Sequence, residues 1–510
     1  MKQMRHAWKT AAIAGAVASA LACGPAWGAD KKRGEEHDNF YLLGEMNKAS
    51  LVMTVEQGIV PKDLGKKIAV AVDQVIRDGE TPGTDAYRRR PGDYLQLEPY
   101  IVRLAGPDAT RMHSGRSRQD ILATTRRLTE REHMLAFLDS LNLARGRVLA
   151  LAEKNVGTIV PAYTNGVQAQ PTTYAHYLLG FAAAFERDAE RLKQAYARLN
   201  MSPLGGAALG TSSFPVNRKR LAELLGFDGV IENSYDAVQL ATLDQGAELV
   251  GVCSAAALTV GVLIQDIHTQ YHQTAPWIMI REGRLTGTSS IMPQKRNPNA
   301  LNVLRLQASD IVGGAVTALI EGHNTTPGLP DYKREQVDRT LELSADAFAK
   351  LADLLDNLVV DKDRALAEVD ADYSTTTELA DILQRDSDLP FRVGHHFASD
   401  LVTFGRANKM KPADIPFDKV REIYAEAVKT FNFPKTEFPL SQAQYRKSLT
   451  AQNMLASSLG LGGPQESEVK RMLAQTQKNL EADHGWLAER RLRLARASAK
   501  LDEAFGQLMK

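Results

Sequence analysis

The stretch LVGVCSAAALTVGVLI, from Leu249 to Ile264, carries no charged side chain and is bracketed by Glu248 and Asp266. A helix that is apolar on every side is buried either in lipid or in protein. This stretch is short for a bilayer span. It is also rich in Ala and Gly, whose small side chains let neighbouring helices approach closely. The sequence therefore predicts a central helix buried inside an oligomeric bundle.

Apolar residues recur at three- and four-residue steps along three long segments, Leu122–Asn155, Ala241–Tyr271 and Leu301–Glu321. This period is typical of helices, and alternating strand patterns are scarce. The composition, 44% hydrophobic and 24% charged, is that of a globular chain. Because the periodic segments exceed the usual helix length, the sequence predicts an all-α fold with a central bundle of long helices.

The length of 510 residues suggests two to four domains. The segments before about residue 111 and after about residue 370 are more charged and carry shorter periodic stretches. We therefore expect an N-terminal helical domain over 30–112, a central helix bundle over 113–370 and a C-terminal helical domain over 371–510.

Residues 1–29 have the pattern of a signal peptide. Basic residues precede the apolar run AAIAGAVASALA, and small residues before Gly28 resemble a cleavage site. The sequence therefore predicts export, to the periplasm in a Gram-negative source. Cleavage removes Cys23 and leaves Cys253 alone, so no internal disulfide is expected. The formal net charge of +1 predicts neither nucleic acid nor, after cleavage, a membrane as partner.

Four polar islands interrupt the helical pattern, at Arg111–Asp120, Pro161–Thr173, Gly287–Asn302 and Pro327–Arg339. They are rich in Arg, Lys, Asn, Gln, Ser and Thr, which suit carboxylates. None has the spacing of metal ligands, and neither a phosphate-binding glycine loop nor a GxSxG turn is present. The islands predict a site without metal or cofactor for an anionic small molecule.

Each island also has a purely structural interpretation. Ser117 and Thr164 are residue types that cap helix N-termini. The stretch GTSSIMPQKRNPNALN, from Gly287 to Asn302, could simply connect two helices, because Pro and Gly are common in such connections.

The islands resemble a known family. GTSSIMPQKRNPN resembles the GSSxMPxKxNP motif of the fumarase/aspartase superfamily. HSGRSRQD is similar to the HTGRSRND of argininosuccinate lyases, and PAYTNGVQAQP is similar to their PGYTHLQxAQP. MSPLGGAALGTSSFPVNR, ENSYDAV and TELADILQRDSDLPFRVGHH also resemble segments of that branch, in the same order. The resemblance runs from about Tyr41 to the region of His395, which is most of the chain.

The resemblance implies a carbon–nitrogen lyase that releases fumarate from an N-substituted aspartate, which is a small dicarboxylate or polycarboxylate. The first Ser of the SS pair, here Ser289, would be the catalytic base that removes the Cβ proton, and a carbanion with aci-carboxylate character would form. Lys295 and Asn297 match the residues that stabilise this charge. Such stabilisation must be preorganised, because the Cβ proton is very weakly acidic.

The resemblance also implies a set of substrate-binding residues, which comprises Ser117, Arg118, Gln119, Thr164, Asn165, Gln336, Arg339, Asn47 and Tyr332. Several of them depart from the family pattern. Asn165 stands where the family has a His, Gln119 where it has an Asn, and Asn47 and Ser50 where an early element has Ser and His. Tyr332 lies in a loosely matched region. The changes fall on the side of the site where the leaving amine would bind. We therefore expect a conserved reaction type, while the sequence does not identify the amine that is released.

The resemblance further implies a homotetramer with each site built from three subunits. Export argues against arginine biosynthesis, and it favours other N-substituted aspartates such as ethylenediamine disuccinate beside argininosuccinate. A catalytically silent structural or binding relative is the alternative, but the presence of Ser289, Lys295 and Asn297 weighs against it. A solute-binding protein would require alternating strands and helices, which the sequence lacks.

Overall fold

The computed structural model describes residues 37–327 and 335–510. The predicted signal peptide, 1–29, and Tyr332 lie outside the described residues. Helices make up 69% of the structure, which confirms the all-α class.

The first part of the chain forms the helices α1 (Asn39–Glu56), α2 (Lys62–Glu80), α3 (Asp85–Arg89) and α4 (Tyr94–Ala105), followed by a 3₁₀ turn (Pro107–His113). Asp38 and Asp93 begin α1 and α4 because their carboxylates accept hydrogen bonds from backbone N–H groups of the first turn. The apolar faces of these helices form a first hydrophobic cluster, which includes Phe40, Val72 and Ile101.

Five long helices form the central bundle: α5 (Arg118–Glu153), α6 (Tyr174–Leu199), α8 (Asp244–Gln270), α9 (Asn299–Gly322) and α10 (Glu335–Asp356), with the short α7 (Arg218–Leu224) in a side connection. Their buried faces form the second and largest cluster. The three long segments predicted from periodicity correspond to α5, α8 and α9. The uncharged Leu249–Ile264 stretch lies in the middle of α8.

The relative direction of the bundle helices follows from specific contacts. His133 approaches Glu342 at 3.4 Å and Arg147 pairs with Asp356 at 2.9 Å, so α5 and α10 run parallel. Gln307 Nε2 donates to Asp346 Oδ2 at 2.6 Å, while a Cβ placed on Gly314 would lie 2.8 Å from Thr340 Oγ1. Helices α9 and α10 are therefore antiparallel, and the start of α9 lies at the end of α10.

The last part of the chain has α11 (Lys362–Val369), α12 (Thr376–Ser387), α13 (Phe391–Ala407), α14 (Phe417–Thr430), α15 (Gln442–Ser448), α16 (Ala451–Ser457) and α17 (Glu466–Leu508). Residues between 379 and 449 form a third cluster of their own. Helix α17 instead returns along the molecule, where Leu487 joins the bundle cluster and Phe505 joins the first cluster. The domain boundaries stay a prediction, and α17 packs with the two earlier units.

The described residues also contain four two-stranded sheets, with strands β1 (Ile159–Thr164), β2 (Val167–Thr173), β3 (Met201–Ser202), β4 (Gly229–Val230), β5 (Ile278–Ile280), β6 (Gly287–Thr288), β7 (Arg296–Asn297) and β8 (Leu358–Val360). β1 pairs with β2 and β6 pairs with β7, both antiparallel. Two of the predicted polar islands are thus hairpins rather than open connections.

Helices α8 and α9 are long and apolar enough to cross a membrane, but no more than half of the apolar window of either is buried within the chain. Leu258 and Val262 of α8 and Leu306 and Ile320 of α9 are each more than 60% exposed. The bundle therefore presents an apolar face that a single chain leaves uncovered.

Candidate active site

The hairpin between β6 and β7 carries Ser289, Lys295 and Asn297. Strand pairing joins Gly287 to Asn297 and Thr288 to Arg296, so the segment from Ser289 to Lys295 is a closed loop. The base of this hairpin is fixed to the start of α9, because Ala300 N donates to Leu285 O at 3.1 Å.

Gly287 lies against the Asn299 side chain at this base. A Cβ at residue 287 would lie 2.5 Å from the Asn299 side-chain nitrogen, so a larger residue would require that side chain to move. The hairpin and the first turn of α9 are therefore in close contact at this point.

The Ser289 hydroxyl is held inside its own loop. Its Oγ accepts hydrogen bonds from the backbone N–H groups of Met292 at 3.0 Å and Ile291 at 3.4 Å. Two N–H dipoles aimed at one oxygen stabilise negative charge on that oxygen. The same contact stabilises a turn, so one geometry satisfies both the structural and the catalytic interpretation.

The tip of the hairpin is open to solvent. Ile291 is 82% exposed, and Lys295 is exposed and forms no ion pair with the residues that the structure describes. Its neighbour Arg296 is instead paired with Glu282 at 2.9 Å. Lys295 is therefore the cation of this hairpin that can meet an anionic ligand.

The hairpin of β1 and β2 carries Thr164 and Asn165, and both are exposed. Thr164 pairs with Val167, which leaves Asn165 and Gly166 as a two-residue loop with φ of 52° and 76°. Positive φ at both positions is the mark of a type I′ turn, for which Asn-Gly is the preferred pair. Asn165 thus has a local backbone role in this turn.

Ser117, Arg118 and Gln119 lie at the start of α5. Ser117 is the N-cap, and its Oγ accepts from Gln119 N at 3.1 Å. Arg118 is exposed and donates to Asp93 Oδ2 at 2.6 Å. The structural interpretation of Ser117 as a cap is therefore correct, and its side chain sits next to the predicted binding residues.

Asn47 lies behind this turn rather than on the surface, since it is 1% exposed. Arg116 Nη2 donates to Asn47 Oδ1 at 3.0 Å, and Arg116 Nη1 donates to Ser50 Oγ at 2.9 Å. The two positions that depart from the family's early element thus share one guanidinium. In this arrangement Asn47 supports Arg116 and has almost no surface to offer a ligand.

His113 is held in a neutral state by burial and by the same Arg116. Arg116 Nε donates to His113 Nδ1 at 3.1 Å, and the imidazole stacks on Tyr94 with ring centroids 4.0 Å apart. Burial and then the Arg116 charge lower the pKa of His113 to about 4. The ring proton therefore belongs on Nε2, which becomes a hydrogen-bond donor.

Asp120 is a functional candidate that sequence reasoning missed. Its buried carboxylate accepts from Ser117 N at 2.7 Å, Gly205 N at 2.8 Å and Ala207 N at 3.2 Å. Burial raises the pKa of the Asp120 carboxyl despite these three bonds. The Asp three residues after the Ser cap, a capping-box pattern, was the signal that pointed to it.

The loop that Asp120 holds is strained. Ala207, Ala208 and Thr211 have φ of 47°, 74° and 61°. Each such conformation costs about 1–2 kcal/mol for a residue with a Cβ, and such strain concentrates at functional sites. The segment around Ala207 is therefore part of the candidate site at the start of α5.

Gln336 and Arg339 lie in the first turns of α10. A Cβ built on Gly314 would lie 3.9 Å from Gln336 Oε1, which places Gln336 near the far end of α9 from Asn297. Arg339 is exposed.

Within a single chain, the residues predicted to form the site therefore lie far apart. Arg284, beside the β6–β7 hairpin, pairs with Asp353 near the end of α10, and that end lies beside Arg147 of α5. The hairpin therefore lies at the level of Arg147. Because a helix rises 1.5 Å per residue, this level is roughly 40 Å along α5 from Ser117. No one subunit brings Ser289 and Ser117 together.

Comparison with known proteins agrees with these motifs. A family model described as "Lyase" matches residues 53–313, and one described as "Argininosuccinate lyase C-terminal" matches residues 373–456. The argininosuccinate lyase of Methanosphaera stadtmanae is 33% identical over 393 residues, 75% of this chain and 82% of that protein. The argininosuccinate lyase of Methanocaldococcus jannaschii is 32% identical over 446 residues, 85% of this chain and 87% of that protein.

Solved structures give a consistent result. EDDS lyase in complex with formate superposes with a TM-score of 0.83 at 27% identity, and the match covers 92% of each chain. The 3-carboxy-cis,cis-muconate lactonizing enzyme of Pseudomonas putida, at 19% identity and a TM-score of 0.66, shares the fold.

Proposed function

The chain belongs to the argininosuccinate lyase branch of the fumarase/aspartase superfamily, and from that premise we propose that it eliminates fumarate from an N-substituted aspartate with Ser289 as the base. The observation that carries the proposal is the β6–β7 hairpin. It presents the Ser289 hydroxyl, with two N–H groups directed at its oxygen, on the same short loop as Lys295, which has no ion-pair partner in the described part of the chain.

The reaction follows from this geometry. Ionised Ser289 takes the Cβ proton, and the electron pair moves into the adjacent carboxylate to give an aci-carboxylate dianion. Lys295 and the amide of Asn297 stabilise the added charge. The Cα–N bond then breaks, the nitrogen leaves with its electron pair and takes up a proton, and fumarate forms.

Ionisation of Ser289 needs more than two backbone N–H groups, because a hydroxyl is a weak acid in water. The hairpin tip is exposed in the single chain, and ligand binding and neighbouring subunits would enclose it. The loop is fixed at its base and free at its tip, which suits a segment that closes over a ligand.

We further propose that the enzyme is a homotetramer with shared sites. The roughly 40 Å between Ser289 and Ser117 in one chain supports sharing. The uncovered apolar faces of α8 and α9 support helix packing between subunits, because patches of this kind are rare on monomers.

The chain differs from its family at residues predicted to lie around the leaving amine of the substrate. Asn165 cannot act as an acid or base, and Asn47 is turned inward onto Arg116. The relatives named argininosuccinate lyase and the structural neighbour named EDDS lyase define two substrate groups, guanidinium and amine derivatives of aspartate. Residues 1–29 support a location outside the cytoplasm, which favours the amine derivatives.

The deciding experiment is a fumarate-release assay on the purified mature chain with a panel of N-substituted aspartates. The panel contains argininosuccinate, ethylenediamine disuccinate and simple N-alkyl aspartates. Release of fumarate from any member supports the lyase. A protein that binds these compounds and releases no fumarate would instead be a catalytically silent relative.

A further inference from the structure

A cavity of about 470 Å³ lies between α1, α5, α7 and α17, away from the predicted catalytic residues. None of the residues predicted from sequence to bind or convert substrate lines it. Arg131, in its wall, is roughly 20 Å along α5 from Arg118. Much of the wall is aliphatic and is supplied by Leu42, Leu128, Leu135, Leu224, Leu225 and Leu494.

Arg131 is the polar feature that distinguishes this cavity. It is 7% exposed. Its Nη1 donates to Asn200 Oδ1 at 3.0 Å, Leu225 O at 3.2 Å and Gly226 O at 3.3 Å. Its guanidinium also lies over the Phe227 ring. Nη1 is therefore fully used by neutral acceptors.

The other edge of the same guanidinium has no protein acceptor among the described residues. Arg131 Nε is buried without a hydrogen-bond partner, and none of the bonds of this side chain involves Nη2. Burial lowers the pKa of Arg131, which reflects the cost of a cation without a paired anion. Nη2 is neither bonded to any described residue nor fully buried, so it is the guanidinium atom that can donate a charge-assisted hydrogen bond to a carboxylate in the cavity.

The remaining acids and the other Arg of the cavity wall already have partners. Glu45 pairs with Lys48 at 2.6 Å, and Glu132 contacts His37 at 2.7 Å. Arg491, at the rim, pairs with Asp139 at 2.8 Å. Within the described part of the chain, Arg131 is therefore the arginine of the cavity wall that has no carboxylate partner.

We propose that this cavity binds a small monocarboxylic acid with an apolar body. The carboxylate accepts from Nη2 of Arg131, and the body packs on the leucine side chains. A dicarboxylate such as fumarate fits poorly, because its second charge would be buried among those leucines without a partner. The site is therefore separate from the proposed elimination site and takes a different class of ligand.

The test is calorimetric titration of the full assembled protein with octanoate and with benzoate. Octanamide and benzamide serve as neutral controls of the same shape. We expect at least one acid to bind, with its amide at least tenfold weaker. Failure of both acids to bind, or equal binding of acid and amide, overturns the proposal.

Two variants locate the binding. Arg131→Gln should lose the preference for the acid over the amide. Because this change also removes bonds to Asn200 and Leu225, Ala495→Phe provides a second route, since Ala495 lines the cavity at an exposed position. It should weaken acid binding at least tenfold, whereas Ala482→Phe, on an exposed part of α17 outside the cavity, should not. Unchanged binding in Ala495→Phe would place the acid elsewhere.

Discussion

Arg116 Nη2 donates a hydrogen bond to Asn47 Oδ1 at 3.0 Å, across sixty-nine residues of sequence. The same guanidinium bonds Ser50 and His113, so it ties α1 to the turn that begins α5. Asn47 was predicted to bind substrate, and the structure gives it a buried supporting contact.

Removal of the Asn47 acceptor should destabilise the protein. Asn47→Ala leaves a donor of a buried guanidinium without a partner, which costs about 1–3 kcal/mol. The thermal midpoint at fixed protein concentration should fall accordingly. Ser50→Ala and the double variant complete a cycle, and non-additive losses are expected because both acceptors share Arg116. An unchanged midpoint for Asn47→Ala would mean that the pair contributes no stability.

His113 should make stability depend on pH. Its pKa is lowered from 6.5 to about 4 in the folded chain. Between these values the unfolded chain binds a proton that the folded chain does not, so stability is complete above about pH 6.5 and is lost as the pH falls towards 4. His113→Gln, which keeps an acceptor for Arg116, should flatten the thermal midpoint across this window. The exposed His484→Gln serves as control, and a matching change in both variants would exclude His113 as the cause.

Ser289→Ala should reduce kcat for fumarate release by roughly 10²- to 10⁴-fold, the usual contribution of a positioned base. The oligomer should remain intact by light scattering, since among the described residues the Ser289 side chain bonds within its own loop. Ser290→Ala is the matched control, because Ser290 is an exposed hydroxyl next to it. Similar turnover in the two variants would assign the base to another residue.

Lys295→Met should lower kcat/KM by roughly 10²- to 10³-fold, because it removes a charge that acts on the developing dianion. Lys295→Arg keeps the charge and should retain part of the activity. Steady-state kinetics on the best substrate of the panel measures both. Equal losses in the Met and Arg variants would show that position, rather than charge, matters at residue 295.

Mixed oligomers should regain activity if subunits share sites. Ser289→Ala and Arg118→Gln affect places roughly 40 Å apart in one chain. After the two inactive variants are unfolded and refolded together, some sites should combine an intact hairpin with an intact α5 start. Ser289→Ala mixed with Lys295→Met is the control. Both changes lie in the same hairpin, so every site in this mixture contains a hairpin with one of the two substitutions. Recovery in neither mixture would show that the start of α5 does not complete a site with the hairpin of another subunit.

The local features of this protein could be predicted from its sequence. The apolar period located α5, α8 and α9 because a helix buries one face at steps of three and four residues. The residue types in the GTSSIMPQKRNPN stretch pointed to the family. The Asn-Gly pair at 165–166 is also a hairpin signal that the sequence contains, because this pair favours positive φ at both positions of a two-residue turn.

The sequence alone determined the helical class, the family and the residue types of the Ser289 segment, because periodicity and motifs depend on neighbours in the chain. Only the tertiary structure decided that α5 and α10 run parallel, that Arg116 holds Asn47, and that Ser289 and Ser117 lie at opposite ends of one subunit. Those relations come from packing between distant segments, where side-chain shape and the need to pair buried polar groups select one arrangement. No local pattern encodes them.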